Sequence, residues 1–433
     1  MNPPIVPPPL DSTTPLLHRL TPDQALRQAS TPVDNATLEA ARTMLNDIAA
    51  RRDAVVVDYA LRLGDLQPGQ NPIIDRPQLV HALNTLPPEQ RALLERTADR
   101  IERFARAQRA CLRDLTTPIP GGQAGHTFIP VSSVGCYAPG GRFPLPSSVL
   151  MTALTARAAG VATAWVASPK PTQVTLAAAA IAGADGVLAI GGVQAIATLA
   201  WGLLGLPRAD IIVGPGNRWV TAAKHLVSTD VGIDMLAGPS ELLVLADDTA
   251  DPAIVAADLL AQAEHDDDAI PVLVTTSSEL IQNVEPQLRR QLASLPTRNT
   301  ALAALRNGMA ILVDSIEQAI QITDRLAPEH LQIITRDAPA VAARVTNAGA
   351  IFIGARTAEV FGDYGAGPNH VLPTGGTARF RAGLSVMTFL RARTWIRIDD
   401  PATAAGLAHD AANIARLESL EAHARAAERR IDP

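Results

Sequence analysis

From about residue 161 to residue 354 the chain repeats one unit, a short apolar run followed by a segment with helical spacing. The runs are VATAWVAS (161–168), GVLAI (186–190), DIIVG (210–214), ELLVLADD (241–248), PVLVTT (271–276), MAILVD (309–314), LQIIT (331–335) and AIFIG (350–354). Each is continuously apolar rather than alternating, which is the pattern of parallel strands buried on both faces. The segments between them, such as TQVTLAAAAIAG, carry small apolar residues suited to helices packed on a sheet. The expected fold is therefore α/β, with two consecutive Rossmann-like doubly wound units.

The flanks read differently. Residues 1–30 form a proline-rich arm, and 31–130 a helical N-terminal segment in which Pro88 stands near a helix start. The first α/β unit is expected over 131–240 and the second over 241–380. Residues 381–433 are expected to form a helical tail, too thin for a core of its own and suited to packing on another subunit. Aromatics make up only 3% of the 433 residues, so small aliphatic side chains must fill the interior.

Composition excludes several functions. A net charge of −6 with no basic block gives nucleic acid no electrostatic purchase. No apolar run approaches the ~20 residues that span a bilayer. The start MNPPIVPPPLDSTTP lacks the charged and apolar regions of a signal peptide, so a cytoplasmic location is expected. Two cysteines, Cys111 and Cys136, make neither a disulfide scaffold nor a thiolate metal site. Any metal must be held by His, Asp, Glu or amide oxygen.

Four places could carry chemistry. The stretch 362–376, GDYGAGPNHVLPTGG, sets Asp363 and His370 among five glycines and two prolines. Such a loop must bend sharply and approach something closely. Glycine-rich turns follow strands at Gly191-Gly192-Val193-Gln194, at Gly214-Pro215-Gly216-Asn217 and, less clearly, at Gly140-Gly141-Arg142. They could close βα turns or offer helix N-termini to phosphate, although the fingerprint G-x-G-x-x-G is incomplete at Trp219. Gln262 and His265 are three apart near the end of an apolar helix, hence expected on one face. With Asp363 and His423 they make a nitrogen–oxygen donor set suited to Zn²⁺, if the fold brings them together. Glu329 and His330 stand at a strand entrance, where two bases aimed apart could serve two separate proton transfers.

The segments VGCYAPGGRFPLPSSVLM, GGVQAIATLA, IIVGPGN, IDMLAGPSE, DLLAQAEH, LAPEHL and GDYGAGPNHVLPTGGTARF resemble histidinol dehydrogenase, in that family's order, over roughly residues 30–430. The resemblance implies a zinc- and NAD-dependent oxidation of L-histidinol through L-histidinal to L-histidine. It implies zinc ligands at Gln262, His265, Asp363 and His423, and proton acceptors at Glu329 and His330. Tyr137, Gln194 and Asn217 would contact NAD. Ser240, Gln262, His265, His330, Asp363, His370, Glu418 and His423 would surround the substrate. It also implies a homodimer in which the tail completes the partner's site. Three positions depart from the family pattern: Asp266-Asp267-Asp268 in place of a glycine after His265, Leu236 in place of a proline, and Ser419 in place of a glycine. Asp266 would be near enough to perturb His265. The rival readings are a dehydrogenase of another small alcohol, a NAD-sensing module and a zinc hydrolase.

Overall fold

The structure, a computed structural model, describes residues 15–27, 33–140 and 144–430. Most of the proline-rich arm, and the turn residues Gly141 and Arg142, lie outside the described residues.

Two short strands come from the N-terminal region, β1 (His18–Leu20) and β2 (Ile73–Asp75). A hairpin follows, β3 (Leu115–Ile119) and β4 (Gly122–Pro130). Then come β5 (Ser133–Tyr137), β6 (Thr163–Ala167), β7 (Gly186–Leu188), β8 (Ile211–Val213) and β9 (Gly232–Ile233). The second series is β10 (Glu241–Ala246), β11 (Ile270–Thr275), β12 (Met309–Leu312), β13 (His330–Ile334) and β14 (Ala350–Ile353), and β15 (Leu390–Ile398) closes the set.

These strands form two six-stranded sheets, β2-β7-β6-β5-β8-β9 and β1-β12-β11-β10-β13-β14. All pairings in them are parallel except β2 on β7. In each sheet the first strand of the series, β5 or β10, is central, with the next two on one side and the last two on the other. The strand order therefore reverses beside β5 and beside β10, which opens a crevice at each place.

The core follows from the sequence pattern. Val134, Cys136, Val166, Val187 and Val213 are buried in the first sheet, and Leu243, Leu245, Val274, Leu331 and Ile333 in the second. Helix Gln173–Ile181 buries Ala177, Ala178 and Ala179, whose small side chains let its backbone lie close to the sheet. Helix Pro146–Ala159 is buried nearly all round, because helix Pro88–Cys111 covers the side turned away from the sheet.

Three flanking segments depart from the expected reading. The arm contributes β1, paired with β12 from His18↔Met309, with Leu16 and Leu17 buried beneath it. The N-terminal helical segment contains β2, β3 and β4. The tail opens with β15, a nine-residue strand that pairs antiparallel with β4 from Leu390↔Pro130 to Ile398↔Gly122. In LRARTWIRI an arginine stands at every second position from Arg391 to Arg397 except Trp395, so the segment suits an exposed strand better than a helix.

Candidate active site

The catalytic candidates gather at the N-terminal ends of β10 and β13. Ser240 and Glu241 open β10, and Glu329 and His330 open β13. Glu329 is buried, and its Oε2 accepts from Ser240 Oγ at 2.7 Å and from the Glu241 amide at 2.9 Å. Its other oxygen is left for a further partner. His330 is buried beside it, and its Nδ1 lies 3.1 Å from the Glu241 carbonyl. A carbonyl only accepts, so Nδ1 carries the hydrogen and Nε2 is the acceptor in the neutral ring. That Nε2 has no hydrogen-bond partner and faces Glu359 and Asp363, each at 3.7 Å. The ring stacks on Phe352 with centroids 6.0 Å apart. His330 Nδ1 and Glu329 Oε2 are 3.5 Å from each other.

Asp363 is the hub. It ends the short helix Val360–Asp363, and its two oxygens divide their attention. Oδ2 lies 3.4 Å from His265 Nε2, while Oδ1 faces His330 at 3.7 Å and His370 Nδ1 at 3.9 Å. Burial would raise this carboxyl, but His265 and His330 hold it well below the usual carboxylate range. His370 donates from Nδ1 to the Asp363 carbonyl at 3.1 Å, so its Nε2 accepts from Ser148 Oγ at 3.4 Å. Burial pushes His370 down.

Gln262 is fully buried, and neither its Oε1 nor its Nε2 has a partner. The expectation that Gln262 and His265 share a helical face needs correction. Helix Pro252–Ala263 ends before His265, which follows the cap residue Glu264. The backbone still turns, with the His265 amide donating to Gln262 O at 3.3 Å, and this bend sends the imidazole to Asp363. His265 is raised chiefly by Asp363, then by Glu359 and Glu329. Asp266 turns its carboxylate onto the Asp268 amide at 3.0 Å in an exposed turn.

Glu359 escaped the sequence reading. It is buried with both carboxylate oxygens unpartnered, and burial pushes it up to about 7. Its four-residue spacing from Asp363 was the available signal, since it sets both carboxylates on one side of a helical turn. His330, Glu359 and Asp363 each bring one ligand atom within 4.8 Å of the others. Burial disfavours a charged His330, yet Glu329, Asp363 and Glu359 together raise it well above its ordinary value. The cluster thus holds excess negative charge that a divalent cation would neutralise. Its nitrogen and oxygen donors, with the unpartnered Gln262 amide, fit such an ion.

The glycine-rich turns converge at the C-terminal ends of the first sheet's strands. A side chain on Gly140 or Gly191 would strike Pro169, and one on Gly214 would meet Tyr137 O at 2.0 Å. Tyr137 is buried, and its hydroxyl accepts from the Gly192 amide at 3.2 Å. Burial, then the Asp65 charge, pushes that hydroxyl up to about 12, so it stays neutral. Gln194 is buried one turn into helix Gly192–Trp201. Asn217 caps helix Arg218–Val227, taking the Trp219 and Val220 amides on Oδ1 at 3.1 and 3.2 Å. A buried Lys224–Asp234 ion pair fixes this turn: Lys224 donates to Gly214 O, and Asp234 accepts from Gly214 N.

Glu418 and His423 are not brought to the cluster within the chain. Both are exposed, and among the described residues no side-chain hydrogen bond or ion pair joins either of them to it.

An imidazole–carboxylate centre on one parallel sheet and a glycine-lined crevice on the other define an α/β enzyme equipped for proton transfer. The family model for histidinol dehydrogenase matches residues 27–431. The histidinol dehydrogenase of Dechloromonas aromatica is 42% identical over 396 residues, 90% of this chain and 91% of that protein. That of Thermobifida fusca is 42% identical over 420 residues, 95% of each. The crystal structure of a histidinol dehydrogenase from Elizabethkingia anophelis matches with a TM-score of 0.90 at 30% identity, covering 97% of this chain and 99% of that one. The chain belongs to the histidinol dehydrogenase family, and is thereby an oxidoreductase.

Proposed function

We propose that this protein oxidises L-histidinol through L-histidinal to L-histidine, the last steps of histidine biosynthesis, with one zinc ion per subunit and two NAD⁺ per turnover. The observation that carries the proposal is the meeting of Ser240, His265, Glu329, His330, Asp363 and His370 from four distant stretches of sequence in one cluster, buried at Glu329, His330 and Asp363 and open to solvent at His265.

Gln262, His265 and Asp363 would hold the zinc, with His423 from a second subunit as fourth ligand. A bound zinc ion supplies a fixed positive centre for the nitrogen atoms of histidinol, and NAD⁺ supplies the hydride acceptor. The protein's own groups then move the protons. His330 Nε2, the unpartnered acceptor of its ring, takes the hydroxyl proton during the first oxidation. The free oxygen of Glu329 takes a proton from water as water adds to the aldehyde. Ser240 and the Glu241 amide hold the other oxygen, so the carboxylate cannot turn away. His370 and Glu418 would contact the substrate. Tyr137, Gln194 and Asn217 would line the cofactor's path.

The tail supports a homodimer. Helices Pro401–Leu417 and Glu421–Glu428 share only a small cluster of Ala412, Ala415 and Ala424, while Leu417 is 86% and Ile414 56% exposed. Such a surface suits burial on a second copy, where His423 and Glu418 would complete the partner's site. With a cytoplasmic location, the five segments named above would serve as arm, helical cover, NAD side, catalytic side and dimer-completing tail.

The test is NADH counted per L-histidinol, with chelated and zinc-restored enzyme. Two NADH per histidinol, lost on chelation and regained with zinc, is the expected result. One NADH, or chelator-insensitive turnover, would sink the four-electron zinc reading.

A further inference from the structure

The Glu241 side chain has no part in this mechanism, yet it ties the two halves of the site together. Glu241 opens β10, and its main chain touches both bases. Its amide donates to Glu329 Oε2 at 2.9 Å, and its carbonyl lies 3.1 Å from His330 Nδ1. The first contact commits one Glu329 oxygen, and the second fixes the tautomer that leaves His330 Nε2 as acceptor. The carboxylate reaches a different part of the chain: its Oε1 accepts from the Gly375 amide at 2.9 Å.

Gly375 lies at the end of the stretch 362–376, which also carries Asp363 and His370. Gly375 and Gly376 stand at φ 60 and 71, left-handed conformations that let the loop turn its amide onto β10. The neighbouring Thr374 is buried, and its Oγ1 accepts from the Gly238 amide at 2.6 Å. The loop also runs against the strand of the bases, since a Cβ on Gly349 would stand 2.5 Å from Glu329 O and 3.2 Å from Pro373 Cδ. The loop that carries Asp363 and the strand that carries the bases therefore meet at Glu241.

What the site takes from Glu241 is an acceptor at the right reach. Burial, then the Glu329 charge, pushes its carboxyl up to about 7, with hydrogen bonds from the Gly375 and Glu329 main chain opposing that rise. Negative charge is thus disfavoured where the bond is needed, and a neutral acceptor of the same length would serve. A side chain one methylene shorter would leave the Gly375 amide out of hydrogen-bond range. We propose that Glu241 is a positioning residue for both oxidations: its side chain binds the end of the glycine-rich loop to the start of β10, and so holds Glu329 and His330 in register with Asp363 and His370. This rests on the proposed function above, in which Glu329 and His330 move the protons.

Steady-state kinetics of the zinc-loaded enzyme with L-histidinol and with L-histidinal, at saturating NAD⁺, tests it on two variants that separate reach from charge. Glu241→Asp keeps the charge and loses the reach; its kcat should fall at least about tenfold with either substrate while KM stays within about threefold. Glu241→Gln keeps the reach and loses the charge; its kcat should stay within about threefold of wild type. Wild-type kcat in Glu241→Asp, or a change in KM alone, would overturn the positioning role. So would the reverse ranking, which would give Glu241 an electrostatic role instead. Glu241→Gln removes a disfavoured charge and does not depend on the aspartate variant folding, so a loss of about tenfold in its kcat is enough to reject the proposal. Wild-type enzyme that oxidises neither substrate would remove the proposed function itself, whereas the outcomes above leave that function standing.

Discussion

Glu329 has one oxygen committed to Ser240 and the Glu241 amide and one oxygen free, and this division makes its role separable from its neighbour's. Glu329→Gln keeps the shape and the committed acceptor but removes the base. Its expected effect is a loss of about 10²–10⁴ in histidinal oxidation, with a smaller loss in the histidinol step proposed for His330. Turnover started from each substrate in rapid mixing checks this; wild-type histidinal oxidation would leave Glu329 only a structural duty. Ser419 offers a second test. It stands just past helix Pro401–Leu417 at φ 62, with its amide on Arg416 O and the Leu420 amide on Ala415 O, the hydrogen bonds of a glycine-type helix stop. A non-glycine residue there costs about 1–2 kcal/mol, and glycine returns part of that as chain entropy. Ser419→Gly should therefore stabilise the protein by about 0.5–1 kcal/mol, read as a higher thermal midpoint; an unchanged or lower midpoint counts against the strain. Glu329, His330 and Asp363 were legible in sequence because their motifs are distinctive. Glu359 was not, because a lone carboxylate in a polar stretch gains meaning only from what the fold places beside it.

At the scale of elements, the glycine-rich stretch 362–376 bends and approaches something closely, as its composition demands. Much of what it approaches is helix Pro88–Cys111. A side chain on Gly365 (φ 87) would strike Thr97, one on Gly367 (φ 138) would crowd Phe104, and Arg100 donates to Gly365 O at 2.6 Å. The loop is thus pinned from outside while Asp363 and His370 point inward, and alignment-free sequence cannot supply that partner. Helix Pro252–Ala263 holds a different cost. Asp258 is buried one turn before Gln262, its Oδ2 is unpartnered, and burial pushes the carboxyl up to about 6. An unfolded aspartate ionises near 3.8, so between about pH 4 and 6 the folded state holds the extra proton. Stability must fall as pH rises through that window and stay lowered above it. Asp258→Asn should flatten this slope and raise stability at pH 8 by up to about 2–3 kcal/mol. Denaturant titrations of both proteins at pH 4, 6 and 8 decide it, and parallel curves would show that Asp258 has a partner once folded. Eight of the twelve strands in the two mainly parallel sheets were readable as apolar runs; β5, at the centre of the first sheet, was not among them, nor were β1, β2 and β9. The antiparallel sheet of β3, β4 and β15 was not readable, since its strands are solvent-facing and about 260 residues separate β4 from β15.

Across the whole molecule, the two sheets repeat one strand order but present opposite ends to the chemistry. The glycine-lined crevice uses the C-terminal ends of β5 and β8, whereas the acid–imidazole cluster uses the N-terminal ends of β10 and β13. The link between β9 and β10 ties them: Asp234 clamps Gly214, the Gly238 amide reaches Thr374 Oγ1, and Ser240 reaches Glu329. One part of the proposed site is missing from this arrangement, because Glu418 and His423 stand exposed on the tail and, among the described residues, no side-chain bond joins them to the cluster. If the tail of each subunit serves its partner, two inactive variants should repair one another. Glu329→Gln spoils the body and leaves its tail sound; His423→Ala spoils the tail and leaves its body sound. In a mixed dimer, the sound body receives the sound tail at one site, and both lesions fall on the other. Random pairing at equal amounts makes half the dimers mixed, so about a quarter of wild-type activity should return after denaturation and joint refolding. A tail that served its own body would give no recovery at any mixing ratio, because every site would then carry one lesion. The assay thus tests the origin of His423 separately from its ligand role, since each variant alone must first be inactive as a homodimer.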